Sequence, residues 1–153
     1  MSKPTVVHET IVVERRFETP PSRIFAAWAD PALRKQWDVP SKEWEVIQLD
    51  MDFRVGGYER SSFGPKGGDV YDSDGRYLDI VPNARIISAG TMLKGPTRTS
   101  TTLCTIELIA EKGGTRLVLT DQSAYLDGKE SAEGRKSGWA TILDQLASYL
   151  ERD

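Results

Sequence analysis

The sequence predicts one α+β domain in which a curved, antiparallel, seven-stranded sheet wraps a long C-terminal helix, in the order β-α-α-β6-α. Three observations carry this expectation. A β-branched run opens the chain, turn-punctuated alternating segments fill it from Trp44 to about Leu126, and apolar residues at helical spacing close it. The links between the middle segments are short, which favours an antiparallel meander.

Val6 to Phe17 is rich in β-branched residues, and Val7, Ile11, Val13 and Phe17 fall on one side of a period-two pattern, the mark of a long first strand. Thr19 followed by Pro20 and Pro21 reads as a helix start: the hydroxyl can accept from an orphan amide, and proline at the first helical position has no amide to leave unpaired. Ile24, Phe25 and Trp28 supply that helix's apolar stripe. Asp30-Pro31 repeats the signal and starts a second short helix, with Leu33 and Trp37 one turn apart on one face. The six strands that follow are Trp44 to Leu49, Phe53 to Ser62, Val70 to Val81, Ala84 to Leu93, Ser100 to Ala110 and Thr115 to Tyr125. Pro82-Asn83 and Gly113-Gly114 read as tight hairpins, Gly64 to Gly68 and Lys94 to Arg98 as longer loops. Cys104, Ile106 and Leu108 share one face and Thr105 and Glu107 the other, so one side of the sheet is buried and one is wet. From about Ser131 to Leu150, the residues Trp139, Ile142, Leu143, Leu146, Ala147 and Leu150 form the stripe of an amphipathic helix roughly 30 Å long.

A chain of 153 residues has the size of a single domain, 1–153, with one sizeable core. Its net charge of −3 is spread along the sequence and gives nucleic acid no concentrated positive field to bind. Cys104 stands alone, which rules out an intrachain disulfide and matches a reducing, cytoplasmic setting. Met1 to Thr10 lacks the apolar run of a signal peptide, and no segment has the length to span a bilayer.

The usual catalytic signatures are missing. His8 is the only histidine and no Cys-x-x-Cys pair exists, so no metal or other cofactor is expected. Nucleophile-elbow, P-loop and dinucleotide patterns are absent too, which leaves no catalytic residue to name. His8 reads as a solvated strand residue and Cys104 as a small core residue. Asp69, Asp72 and Asp74 beside Gly75 lack the spacing and closing glutamate of a calcium loop. Gly56-Gly57 could permit a ligand's close approach, but a β-bulge that bends the sheet explains the pair without any ligand and is the expected reading. Arg54, Tyr58 and Arg60 share one parity of the third strand, and Tyr71 and Tyr77 one parity of the fourth. Facing inward, they would give a greasy cavity its fixed polar tips; a bulge at the glycines would instead turn the arginines to the wet face, and both registers stay open at this point. Asp121 shares parity with Leu117, Leu119 and Tyr125. Inside, it needs an arginine or hydroxyl partner; at a solvated strand end it needs none.

Several motifs resemble the START-like, or SRPBCC, superfamily and within it the branch named for the activator of the heat-shock protein 90 ATPase. They are Arg15-Arg16-Phe17-Glu18-Thr19-Pro20, Ala27-Trp28-Ala29-Asp30-Pro31, Asp52-Phe53-Arg54-Val55-Gly56-Gly57, the run from Gly75 to Pro82, Thr120-Asp121-Gln122, Leu126-Asp127-Gly128 and Gly138-Trp139. The resemblance covers nearly the whole chain. It implies a helix-grip fold with a cavity between sheet and C-terminal helix, used by relatives for lipids, polyketides, plant hormones or chaperone contacts. Where relatives often carry Glu-Gln-Gly before an aromatic, this chain has Asp121-Gln122-Ser123 and then, after Ala124, Tyr125.

The expected function is therefore the binding of a small, largely hydrophobic molecule. Trp37, Arg54, Tyr58, Arg60, Tyr71, Tyr77, Met92, Asp121, Tyr125, Trp139 and Leu143 are its candidate site residues, with Arg54 or Arg60 as polar anchor. The alternatives are a cyclase- or hydratase-like enzyme using Asp121 or a pocket arginine and tyrosine, and a co-chaperone-like interaction module that rests on analogy. A homodimer is implied by relatives alone.

Overall fold

The computed structural model describes residues 5–152; the ends of the expected 1–153 domain, residues 1–4 and 153, lie outside the described residues. Seven antiparallel strands form one sheet in the order β1-β7-β6-β5-β4-β3-β2. They are β1 (Val7–Phe17), β2 (Trp44–Met51), β3 (Tyr58–Pro65), β4 (Tyr71–Val81), β5 (Arg85–Lys94), β6 (Thr97–Glu111) and β7 (Gly114–Tyr125). Helices α1 (Pro21–Ala29) and α2 (Pro31–Arg34) follow β1, and α3 (Ala132–Leu150) closes the described chain. This is the α+β helix-grip architecture that the element order implies.

The long meander returns β7 to pair with β1, so the first strand becomes an edge beside the last one. Ile11, Val13 and Phe17 are buried while Val7 is half exposed, because the pairing runs past the end of the core. Thr19 does not cap α1. Pro20 occupies that position without a side-chain bond, and the Thr19 carbonyl instead accepts from Thr115 Oγ1 at 2.7 Å, which ties the start of the helix to β7. Asp30 does cap α2, accepting from the Ala32 amide at 2.9 Å. Ser131 caps α3 by accepting from Gly134 N at 3.1 Å. The predicted α3 stripe holds: Leu143, Leu146 and Leu150 are buried, and Trp139, Ile142 and Ala147 pack against the same core.

Gly56-Gly57 is a turn and not a bulge. Gly56 has φ +84°, the left-handed region that favours glycine, and a Cβ on Gly57 would meet the Asp52 carbonyl at 2.0 Å. Third-strand pairing therefore begins only at Tyr58. Register shifts fall elsewhere, placing an extra residue at Ile47 in β2, at Leu78 in β4 and at Thr99 in β6. Each extra residue re-phases its strand: in β2 the inward positions run Trp44, Val46, then Leu49 and Met51, leaving Ile47 exposed. In β4 Tyr77 is inward, Leu78 is exposed, and Ile80 packs on the core.

Trp37 lies just beyond α2, fully buried, with its ring 4.5 Å from Trp28 and its Nε1 donating to the Ala27 carbonyl at 3.2 Å. Emptying that position leaves a large void and an unpaired carbonyl. Trp37→Ala is expected to lower stability by about 3 to 5 kcal/mol in urea unfolding, whereas a loss below about 1 kcal/mol would mean that α1 and α2 do not close on the core.

Candidate functional site

The inward face of the sheet changes character row by row. Across the strands, Ile80, Ile86, Ile106, Leu119 and Val13 sit in register, an apolar row in the core. The next inward row is Tyr77, Ser88, Cys104 and Asp121; beyond it come Glu59, Gly75, Gly90, Thr102 and Ser123, then Ser61, Ser73, Met92, Ser100 and Tyr125. Serines and a facing glycine pair stand where large side chains would otherwise fill the space under α3. The result is a cavity of about 920 Å³ between sheet and helix, walled at one end by Trp28 and Arg34 and on the helix side by Arg135, Trp139 and Ile142. Trp44, Phe63 and Tyr71 add an aromatic flank, with Trp44 stacked on Tyr71 at 5.6 Å between ring centres.

Two charged clusters border this space. In the first, Asp121 has no exposed surface, yet three side chains satisfy it: Trp139 Nε1 donates to Oδ2 at 2.8 Å, Arg135 Nη1 at 3.1 Å, and Ser123 Oγ donates to Oδ1 at 2.5 Å. Arg135 also donates to Ser100 Oγ at 2.7 Å and Thr102 Oγ1 at 3.1 Å, and pairs with Glu130. Burial works against its charge, but Asp121 and Glu130 more than compensate and hold its pKa above the ordinary arginine range. The solvated strand end is thereby overturned, and the partner that an inward carboxylate requires is an arginine one helical turn before Trp139.

The second cluster centres on Arg34, whose Nε donates to Asp38 Oδ2 at 2.8 Å, Nη2 to Glu59 Oε1 at 2.5 Å and Nη1 to the Trp28 carbonyl at 3.0 Å. Burial lowers the affinity of this guanidinium for its proton, and Glu59 and Asp38 more than offset that, so it stays charged. Asp38 is pushed up to about 6, chiefly by burial and further by Glu59, against the pull of Arg34. Beside them the Tyr77 hydroxyl is buried with no hydrogen bond of acceptable geometry, although Arg34 and Glu59 lie near it. Cys104 lines the cavity, and its thiol is driven upward by burial and then by Asp121, so it stays protonated.

Of the sequence-predicted site residues, Tyr71, Tyr77, Met92, Asp121 and Trp139 line the cavity. Trp37, Tyr125 and Leu143 are buried but lie behind its wall: Trp37 under Trp28, Tyr125 beneath the Arg135 guanidinium, and Leu143 in the apolar core. Arg54, Tyr58 and Arg60 are turned to the outer face, so neither arginine is the polar anchor. Arg54 sits in the turn and pairs with Asp52. The parity of β3 is set by Phe63, which joins the inner aromatic flank and brings Glu59 and Ser61 inward with it. Arg34, Asp38, Glu59, Glu130 and Arg135 escaped the sequence reading because isolated charges are usually solvated. The available signal was spacing: Arg34 and Asp38 are four apart, as are Arg135 and Trp139. Among the described residues no group of histidine, cysteine, aspartate and glutamate is arranged to hold a metal ion.

The profile of the family described as Activator of Hsp90 ATPase homolog 1-like protein matches residues 18–151. An uncharacterised protein from Rhizobium leguminosarum is 41% identical, with 97% of each chain covered and a TM-score of 0.90. A protein from Rhizobium loti is 40% identical over 94% of this chain and 98% of its own, with a TM-score of 0.85. A protein of the dynemicin biosynthetic locus shares the fold at 21% identity and a TM-score of 0.69, covering 94% of this chain and 47% of its own. No curated protein matches the chain.

Two predictions follow from the clusters. Arg135→Met leaves a buried carboxylate short of its counter-charge and is expected to cost about 3 kcal/mol, part of which Asp121→Asn in the same chain should restore; urea unfolding of both variants checks this, and a double variant no more stable than the single one would uncouple the pair. The second concerns pH. Because the folded state holds the Asp38 proton up to about 6 and the unfolded chain releases it near 3.8, this group's contribution is complete below about pH 4 and is lost as pH rises towards 6. Relative to Asp38→Asn, the unmodified protein should lose on the order of 2 kcal/mol between pH 4 and 7. Parallel stability curves would show that Asp38 does not titrate in that window.

Proposed function

Because this chain belongs to the family of Activator of Hsp90 ATPase homolog 1-like proteins, whose fold supports a ligand-binding domain, we propose that it binds a small, largely hydrophobic molecule between its sheet and α3. The observation that carries the reading is the cavity itself. Its volume of about 920 Å³ falls in the range of small-molecule sites, and Trp28, Trp44, Phe63, Tyr71, Met92 and Trp139 give it a mostly apolar wall with a few fixed polar groups. The wall is also preorganised: Trp139 is held by Asp121, and Trp28 is backed by Trp37.

A second reading, proton-transfer catalysis on the bound molecule, is favoured by one feature. Asp38 and Glu59 both bear on Arg34, and Asp38 is tuned to about 6, where a carboxyl can both give and take a proton near neutrality. A chaperone contact rests on the family's description alone.

A hydrophobic fluorescent dye should bind at about one per chain and raise the melting temperature with occupancy. Ser88 lines the cavity on the second inward row between Tyr77 and Cys104, so Ser88→Phe fills part of the space without removing a member of either charged cluster. Its dye affinity is expected to fall at least about tenfold while urea stability stays within about 1 kcal/mol. Undiminished dye binding in a folded Ser88→Phe variant would place the dye elsewhere and remove the support for this cavity.

A further inference from the structure

We propose that the molecule held in the cavity is a flat ring system carrying a hydroxyl or carbonyl group. Its face lies on the bare backbone of α3 at Gly138, and its oxygen bridges the Ser61 and Ser73 hydroxyls. The inference rests on the ligand-binding reading above and names the shape and chemical class that reading leaves open.

Nothing in the packing of the protein calls for glycine at position 138. The residue lies inside α3, where glycine is the poorest helix former after proline. Its backbone is outside the left-handed region, so its φ makes no demand for glycine. A Cβ built there would meet no atom within 4 Å, so no close neighbour in the chain excludes a side chain either. What Gly138 faces is the cavity. A bare α-carbon on a cavity wall lets a ligand come down onto the helix backbone.

The opposite wall is bare as well. Gly75 and Gly90 face each other on β4 and β5 and line the cavity from the sheet side. A Cβ on Gly90 would crowd the Asp74 carbonyl at 3.0 Å, which accounts for the sheet pair by itself, so Gly138 carries the argument. Together the two walls present backbone in place of projecting side chains. A planar ring lies flush on such a surface over its whole face, whereas a puckered, saturated frame touches it only at projecting hydrogens.

The polar contact stands one row along from the sheet glycines. Ser61 and Ser73 are directly opposite each other on β3 and β4, and both line the cavity. Neither hydroxyl has a hydrogen-bond partner among the described residues, in contrast with Ser100, Thr102 and Ser123, which are tied to Arg135. A wholly apolar ligand would strip these two hydroxyls of water and return nothing. Facing residues of neighbouring strands stand about 5 Å apart, a gap that one ligand oxygen bridges. A carbonyl accepts from both serines; a hydroxyl accepts from one and donates to the other.

Three probes, each titrated by displacement of the cavity dye, separate shape from polarity: 2-naphthol, naphthalene and the saturated, puckered 2-decalol. 2-Naphthol is expected to bind at least about fivefold tighter than 2-decalol. Gly138→Ala adds one methyl group to the helix wall. It should raise the melting temperature, because alanine is the better helix former, and yet weaken 2-naphthol at least about fivefold. Ser137→Ala improves the same helix from outside the cavity lining and should leave that affinity as it is, which separates a blocked wall from a stiffened helix. With Ser61→Ala and Ser73→Ala combined, the preference for 2-naphthol over naphthalene should shrink several-fold. Undiminished 2-naphthol binding in Gly138→Ala, an equal loss in Ser137→Ala, 2-decalol bound as tightly as 2-naphthol, an unchanged preference in the serine variant, or probes that leave a bound dye in place each overturn the inference while leaving the cavity's role intact. If neither the dye nor any probe binds, the ligand-binding reading fails and this inference with it.

Discussion

One buried carboxylate fixes how the helix meets the sheet. Asp121 lies mid-strand in β7 with no exposed surface, and a charge there is tolerable only when hydrogen-bonded on every side. α3 contributes two of its partners, Arg135 and Trp139, one turn apart on the face that looks at the sheet. Sliding the helix by a single residue would rotate both by about 100° and strand the charge, so one register is selected. The same helix continues into Leu143, Leu146 and Leu150, which share a core with Ile86, Ile106 and Leu119. Its polar first half spans a hollow and its apolar second half closes a core.

The hollow has its origin in side-chain volume. Where the strands carry isoleucine and leucine in register, helix and sheet are in contact; where they carry Ser88, Ser73 and the facing pair Gly75 and Gly90, they are not. A Cβ on Gly90 would come within 3.0 Å of the Asp74 carbonyl, so the glycines also let two backbones approach closely in the cavity floor. Three register shifts then decide which side chains see that space. Ile47 and Leu78 are expelled to the surface so that Trp44, Tyr71 and Tyr77 can stay inside with Met51 and Ile80.

Both charged clusters follow the same logic of self-neutralisation. A cavity with apolar walls strengthens any field within it, and a bare guanidinium there would be costly. The chain supplies each arginine with two carboxylates from different elements: Asp38 and Glu59 for Arg34, Asp121 and Glu130 for Arg135. The clusters therefore link loop, strand and helix as much as they line the cavity. Asp38, with its proton held to about 6, is the member whose charge responds near neutrality.

Local pattern was enough to fix the elements. β-branched alternation, proline and aspartate at helix starts, and the 3.6-residue stripe from Trp139 to Leu150 each act within a few residues, so the sequence by itself determined the α+β order, the meander and the face that α3 buries. It also put Asp121 on the same parity as Leu117 and Leu119, and because β7 runs without a register shift from Gly114 to Tyr125 that parity holds; that the strand is still covered at Asp121 was decided by the tertiary structure. Parity in β2, β3 and β4 was decided only by the tertiary structure. There a turn at Gly56-Gly57 and extra residues at Ile47 and Leu78 change the phase, and a period-two pattern cannot reveal where it resets; hence Arg54 and Arg60 face solvent while Glu59 faces the cavity. The partners of Asp121 and the trio around Arg34 were likewise decided by the tertiary structure. A buried ion pair is made of residues that each look solvated in sequence, and only the folded backbone brings β7 to α3, or β3 to the end of α2, within the reach of a hydrogen bond.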